Sequence, residues 1–213
     1  MIFSHNSPEY QHKLANMGVG KYNGARYYSE EIVRNIIPNV KTDRNWVTIN
    51  VPGRAFDHSI VFIHNNLYPE NYDHLSAFED LILVCGVPST CEKVAHLGKA
   101  VYLPLSVDVA EVEAYRRPKT RKVCYAGRIG KWDDKFPKGT DYIAALPRAD
   151  FLEELARYEQ AYAVGRSAIE ARILGCEILP YDDRYPDPSV WKVLDNREAA
   201  GILQGILDRI DGV

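Results

Sequence analysis

Short apolar runs alternate with helix-period stretches along the whole chain. Ile2-Phe3-Ser4, Trp46-Val47-Thr48-Ile49, Ser59-Ile60-Val61-Phe62-Ile63, Leu81-Ile82-Leu83-Val84-Cys85 and Ala100-Val101-Tyr102-Leu103 each read as a strand. The longer runs have no polar face, the pattern of parallel strands covered by helices on both sides. A loop rich in Gly, Asn and Tyr comes after the first strand and ends at Gly24. Ile32, Val33, Ile36 and Ile37 then recur at helical spacing, and Pro38 stops that helix. Ser89 or Thr90 predicts the cap of a helix through Val94 and Leu97, closed by Gly98.

The second half repeats the alternation. It predicts strand Val123–Ala126, a long loop, strand Tyr142–Leu146, and a helix from Pro147 to about Gln160. Strand Ala161–Val164, helix Arg166–Leu174, strand Cys176–Leu179 and an amphipathic helix over Ala199–Ile210 complete it. Between the halves, Pro104 ends a strand, Asp108 caps a short helix, and the polar segment Tyr115–Lys122 contains Pro118. That segment is the predicted domain boundary. The expected fold class is α/β, with two small Rossmann-like, doubly wound domains facing a cleft. They span residues 1–114 and 123–213, joined by a basic linker over 115–122.

Composition narrows the functional classes. The 213 residues suffice for one large domain or two small ones, and a net charge of −3 gives no general attraction to nucleic acid or anionic membrane. No apolar run approaches the roughly 20 residues that span a bilayer. The N-terminal Met1–His5 has no basic region before an apolar stretch, so no secretion signal is expected. Cys85, Cys91, Cys124 and Cys176 lack metal-site spacing, and reduced thiols in a cytoplasmic protein are the expected state.

The sharpest local chemistry is Gly165-Arg166-Ser167, directly after an apolar strand and opening a helix. Unpaired N–H groups and the positive end of the helix dipole make such a turn a phosphate site. Arg166 adds a planar cation, and Glu170 lies one turn on, within reach of a ribose hydroxyl. The plain alternative is an ordinary helix start, with Ser167 near a cap and Arg166 in solvent. Gly127-Arg128 ends the first strand of the second half, where glycine permits close backbone approach to a ligand. Lys131, Lys135 and Lys138 crowd the next loop, which reads equally as a solvated basic surface. His64 ends a strand and is either a general base, a sugar-hydroxyl partner or a histidine bonded to backbone. His5 poses the same choice. Asp133 and Asp134 read as solvated acids, and no metal site is predicted. The linker has five cations between Arg116 and Lys122. It is a hinge or a phosphate-contacting strip, without the interleaved aromatics that stack bases.

Taken in order, Leu103-Pro104-Leu105-Ser106-Val107-Asp108, Tyr125-Ala126-Gly127-Arg128, Lys138-Gly139 and Ile169-Glu170-Ala171-Arg172-Ile173-Leu174-Gly175-Cys176 resemble motifs of nucleotide-sugar glycosyltransferases of the GT-B fold. The resemblance implies that Arg128 and Lys138 hold the donor diphosphate and stabilise it as leaving group. It implies that Gly127, Gly165, Arg166 and Ser167 line the donor site and that Glu170 holds the ribose. Gly24 belongs to a loop similar to the family's acceptor-side loop, and His64 is the candidate at the reacting centre. The implied partners are a nucleoside-diphosphate sugar and an acceptor that is a glycan, small molecule, protein or modified nucleic acid base, with no cofactor and no metal. Tyr162 stands where many members carry a second glutamate. A catalytically silent nucleotide- or sugar-binding protein is therefore one alternative, and another α/β enzyme acting on a phosphorylated metabolite is the other.

Overall fold

In the computed structural model the residues described are 1–17, 24–51, 53–64, 69–127, 136–143, 146–180, 183 and 185–212. Among them two parallel sheets, of five and four strands, carry the α/β fold. The chain divides into two compact units. Among the described residues the first takes those up to Met17, Ala25–Pro104 and the final helix, and the second takes Leu105–Asp195 with Gly24.

The first sheet holds β1 (Ile2–Phe3), β2 (Asn45–Val47), β3 (Ser59–Ile63), β4 (Leu81–Cys85) and β5 (Lys99–Tyr102). Its strand order is sequential, so it has no reversal of winding. All residues of β3 and β4 are buried, as their uninterrupted apolar pattern requires. One face packs Phe3, Val47, Val61 and Leu83 against Tyr10 and Leu14. These two residues lie on helix α1 (Pro8–Met17), in a stretch whose sequence predicts only loop. Two apolar residues four apart are a weak signal in isolation, and burial against the sheet decides the conformation. Helix α2 (Gly24–Glu31) runs into a π-helical stretch, Ile32–Ile36, whose two isoleucines are fully enclosed. Helix α3 (Pro88–Val94) begins with proline in its first turn rather than at a Ser or Thr cap.

The final helix, here α7 (Asn196–Asp211), belongs to the first unit. That differs from the sequence division, which groups it with residues 123–213. Its buried residues Ala199, Ala200, Leu203 and Leu207 form one stripe, and it packs on the π-helical stretch. Arg44 fastens its end, reaching Asp211 at 2.7 Å and Asp80 at 3.0 Å.

The second unit opens with α4 (Val109–Glu113), capped as expected by Asp108, whose carboxylate accepts from the Glu111 N–H at 2.9 Å. The basic segment after it is an integral part of this unit rather than a linker. Lys119 Nζ donates to the carbonyls of Ala156 and Leu174 at 3.0 and 2.8 Å, and Arg116 Nε to that of Ile173 at 2.8 Å. These cations satisfy the carbonyl ends of two helices, where the dipole is negative. Arg117 pairs with Glu153, Arg121 with Glu154 and Lys122 with Glu159. All five linker cations are thus engaged within the unit.

The second sheet contains β6 (Arg121–Ala126), β7 (Asp141–Ile143), β8 (Tyr158–Ala163) and β9 (Glu177–Leu179), in the order β7-β6-β8-β9. Helix α5 (Arg148–Leu155) joins β7 to β8 and is shorter than the sequence predicts, because β8 starts at Tyr158. Helix α6 (Arg166–Ile173) joins β8 to β9. Winding reverses between β6 and β8: the chain leaves β6 toward one edge and leaves β8 toward the other. In register across β7, β6 and β8, Tyr142, Tyr125 and Tyr162 stand side by side on one face. Phe136 packs on this row, 4.8 Å from both Tyr125 and Tyr162.

Candidate functional site

In open parallel sheets a crevice forms at the carboxyl ends of the strands where winding reverses. In the second unit that place is fixed by the ends of β6 and β8, which lead into Gly127 and into Val164-Gly165. Gly165 has φ +64° and ψ −136°, a conformation essentially reserved for glycine, and it caps α6 without any side-chain hydrogen bond. Gly165 has no side chain to offer the first-turn amides of α6, and among the described residues Ser167 makes no cap hydrogen bond in its place.

Arg166 is buried, not in solvent. Its Nε and Nη2 donate to Oε1 of Glu170 at 3.2 and 3.0 Å. Arg148 Nη1, from the first residue of α5, donates to the same oxygen. Arg148 Nε also lies 3.5 Å from Glu111 of α4. Glu170 is 2% exposed, and Oε2 receives no hydrogen bond from the described residues. Two cations and two acids from three helices thus converge beside the reversal. Sequence reasoning placed Arg166 and Glu170 together and missed Arg148. The signal was present: an arginine in the first turn of a helix opposes the dipole and calls for an acid nearby.

Gly127 has a reason of its own. A Cβ there would come within 2.5 Å of the Tyr125 ring and hydroxyl, so the aromatic row already demands glycine at this position. Tyr162 belongs to that row. Arg128, Lys131, Lys135, Asp133 and Asp134 lie outside the described residues. Lys138 is exposed three residues before β7 begins, and no hydrogen bond or ion pair joins it to Arg166 or Glu170. Gly24 is exposed at the first position of α2, and the rest of its loop, 18–23, is outside the described residues.

The first unit gathers different chemistry at the ends of β1, β2 and β3. His64 Nε2 donates to the Thr48 carbonyl at 2.6 Å, and its ring meets Tyr28 edge-on at 5.5 Å. That bond fixes the tautomer, leaving Nδ1 as the acceptor nitrogen. Burial pushes the His64 pKa down to about 4, against the opposing pull of the Thr48 carbonyl, so the ring is neutral at pH 7. The Thr48 hydroxyl donates to the Phe3 carbonyl and lies 2.7 Å from Ser29 Oγ, which is 3.4 Å from His5 Nδ1. The His5 backbone N–H donates to the same Ser29 oxygen at 3.1 Å. His5 Nε2 faces Glu30 at 3.7 Å, and Glu30 is also bound by Arg26 at 3.1 Å. Burial lowers the His5 pKa more than Glu30 raises it. Ser29 and Thr48 were not legible as polar-network members, since single hydroxyls carry no period.

All four cysteines are free thiols, and no helix among the described residues is long and apolar enough to cross a membrane. No protein-family model matches the chain, and no curated protein or solved structure matches it.

Proposed function

We propose that the protein is a glycosyltransferase whose second unit binds a nucleoside-diphosphate sugar and whose first unit binds the acceptor. One observation carries this reading. The winding reversal of the second sheet coincides with the uncapped Gly165–Ser167 turn and with the Glu170 carboxylate beside it. An uncapped helix start suits a phosphate, and a carboxylate with one oxygen uncommitted suits a ribose hydroxyl. Arg128 and Lys138, in the order seen in GT-B enzymes, are proposed to meet the charge that develops on the leaving diphosphate. Such electrostatic help acts where water is excluded and is among the larger contributions to catalysis.

In the first unit, His64 presents Nδ1 to an acceptor hydroxyl. A pKa near 4 suits a hydrogen-bond acceptor that orients the hydroxyl, and takes its proton only as bond formation makes that proton acidic. Titration of the purified protein with a panel of nucleotide sugars, together with measurement of nucleoside diphosphate release, tests the proposal. Tight binding with release that depends on an acceptor is expected. No binding to any nucleotide sugar would sink it.

A catalytically silent binding protein on the same scaffold is the second reading. Its support is Tyr162, whose ring packs on Phe136 as part of the aromatic row where the resemblance implies a second acid. Binding without release across the acceptor panel would favour it.

A further inference from the structure

We infer that Arg148 is a positioning residue that sets the orientation of the Glu170 carboxylate and so makes the site select ligands bearing an intact ribose. This rests on the donor-site reading above. The geometry is specific. Three N–H groups from two arginines converge on one oxygen, Oε1, and none of the described residues donates to Oε2. A carboxylate held by a single arginine at (i, i+4) keeps its rotation about the terminal torsion, which is broad and shallow. The second arginine comes from another helix and removes that freedom. Arg166 holds Glu170 along α6, and Arg148 holds it from the start of α5.

Arg148 is itself restrained. Its side chain is 17% exposed, and Glu111 lies 3.5 Å from Nε while Nη1 serves Glu170. The guanidinium therefore spans two acids on two helices. A planar fork does this and an ammonium does not. The arrangement leaves Oε2 as a preset acceptor in a site where bulk water is largely excluded. A buried acceptor that loses its intended donor costs more than a solvated one, so a ligand lacking the hydroxyl is discriminated against.

The test compares uridine, guanosine and adenosine diphosphates with their 2′-deoxy forms by calorimetric titration. Wild-type protein is expected to prefer the ribose form of its cognate base about tenfold or more, equivalent to about 1.4 kcal/mol. In Arg148→Met that preference falls to within about twofold, while affinity for the 2′-deoxy form is unchanged. A merely structural role would weaken both ligands together. Arg148→Lys keeps the charge and protects folding, and its preference is expected to fall as well. A full ribose preference retained in Arg148→Lys, or in a folded Arg148→Met, overturns the inference while leaving the donor site standing. Wild-type protein that binds none of the diphosphates defeats the donor-site reading, and the role of Arg148 with it.

Discussion

The two units place different chemistry at the ends of their strands. The first sheet is wound sequentially and gathers neutral imidazoles and hydroxyls: His5, Ser29, Thr48 and His64. The second reverses between β6 and β8 and gathers permanent charges: Arg148, Arg166, Glu111 and Glu170. All six histidines of the chain precede Pro104, and none lies in Leu105–Asp195. A group that shares protons with a substrate belongs with the first kind of surface, and a group that holds an anion with the second. The contrast teaches that one α/β plan yields either surface, depending on the side chains carried at the strand ends and in the first turns of the helices.

The sharpest way to break this comparison is to remove the charge at its centre. Glu170→Ala leaves Arg148 and Arg166 buried without their shared acid and is expected to cost about 3–5 kcal/mol, read from urea unfolding. Glu170→Gln, which keeps the shape and one acceptor, should cost clearly less. Equal losses would mean that packing, not charge, holds the cluster.

Acid should separate the units. An unfolded histidine takes up a proton as pH falls through 6.5, whereas folded His64 resists until about pH 4. Between those values the unfolded state binds more protons, so stability falls with acidification and levels off below pH 4. The loss from His64 is at most about 3 kcal/mol, and His5 and His74, also lowered by burial, act in the same direction. His58 opposes them. Hydrogen bonds to Asp80 and Asp43 raise its pKa, so its contribution is full below 6.5 and is lost as pH rises through its folded value. Amide exchange at pH 7 and pH 5 should show opening free energies falling in the first unit and holding in the second. A parallel fall in both would end the contrast.

Gly127 sharpens the line between architecture and ligand site. Gly127→Ala should destabilise by about 2 kcal/mol through collision with the Tyr125 ring. In a Tyr125→Leu background the same change should cost less, so a thermodynamic cycle with no coupling would refute the packing account. The smallest effects concern the basic segment. Lys119→Met removes a cation serving two helix ends and is expected to cost about 1.5 kcal/mol, whereas Lys122→Ala, in a highly exposed pair with Glu159, should leave the unfolding midpoint unchanged.

Much of the fold was legible because strands such as Ser59–Ile63 and Leu81–Cys85 have no polar face, and few arrangements hide both sides of a strand. Asp108 was legible as a cap because it precedes a short helix with Glu three residues on. Helical spacing put Arg166 and Glu170 one turn apart at one site, whereas their ion pair shows only in the structure. The parts that sequence did not show depend on contacts between distant segments. Tyr10 and Leu14 make a helix only against the sheet. Arg148 meets Glu170 across 22 positions. Arg116 and Lys119 read as part of a hinge or a phosphate-contacting strip until the helix ends at Ala156, Ile173 and Leu174 arrive beside them. The allegiance of α7 was hidden for the same reason: an amphipathic stripe does not say which surface it will cover.

That allegiance bears on synthesis. A ribosome makes the five strands of the first sheet, then the whole second unit, and only then the helix that covers Ile32 and Ile36. The second unit, whose strands and helices are contiguous in the chain, can fold while the first still lacks its last piece. The π-helical stretch is therefore a surface that waits for its partner helix until the end of synthesis.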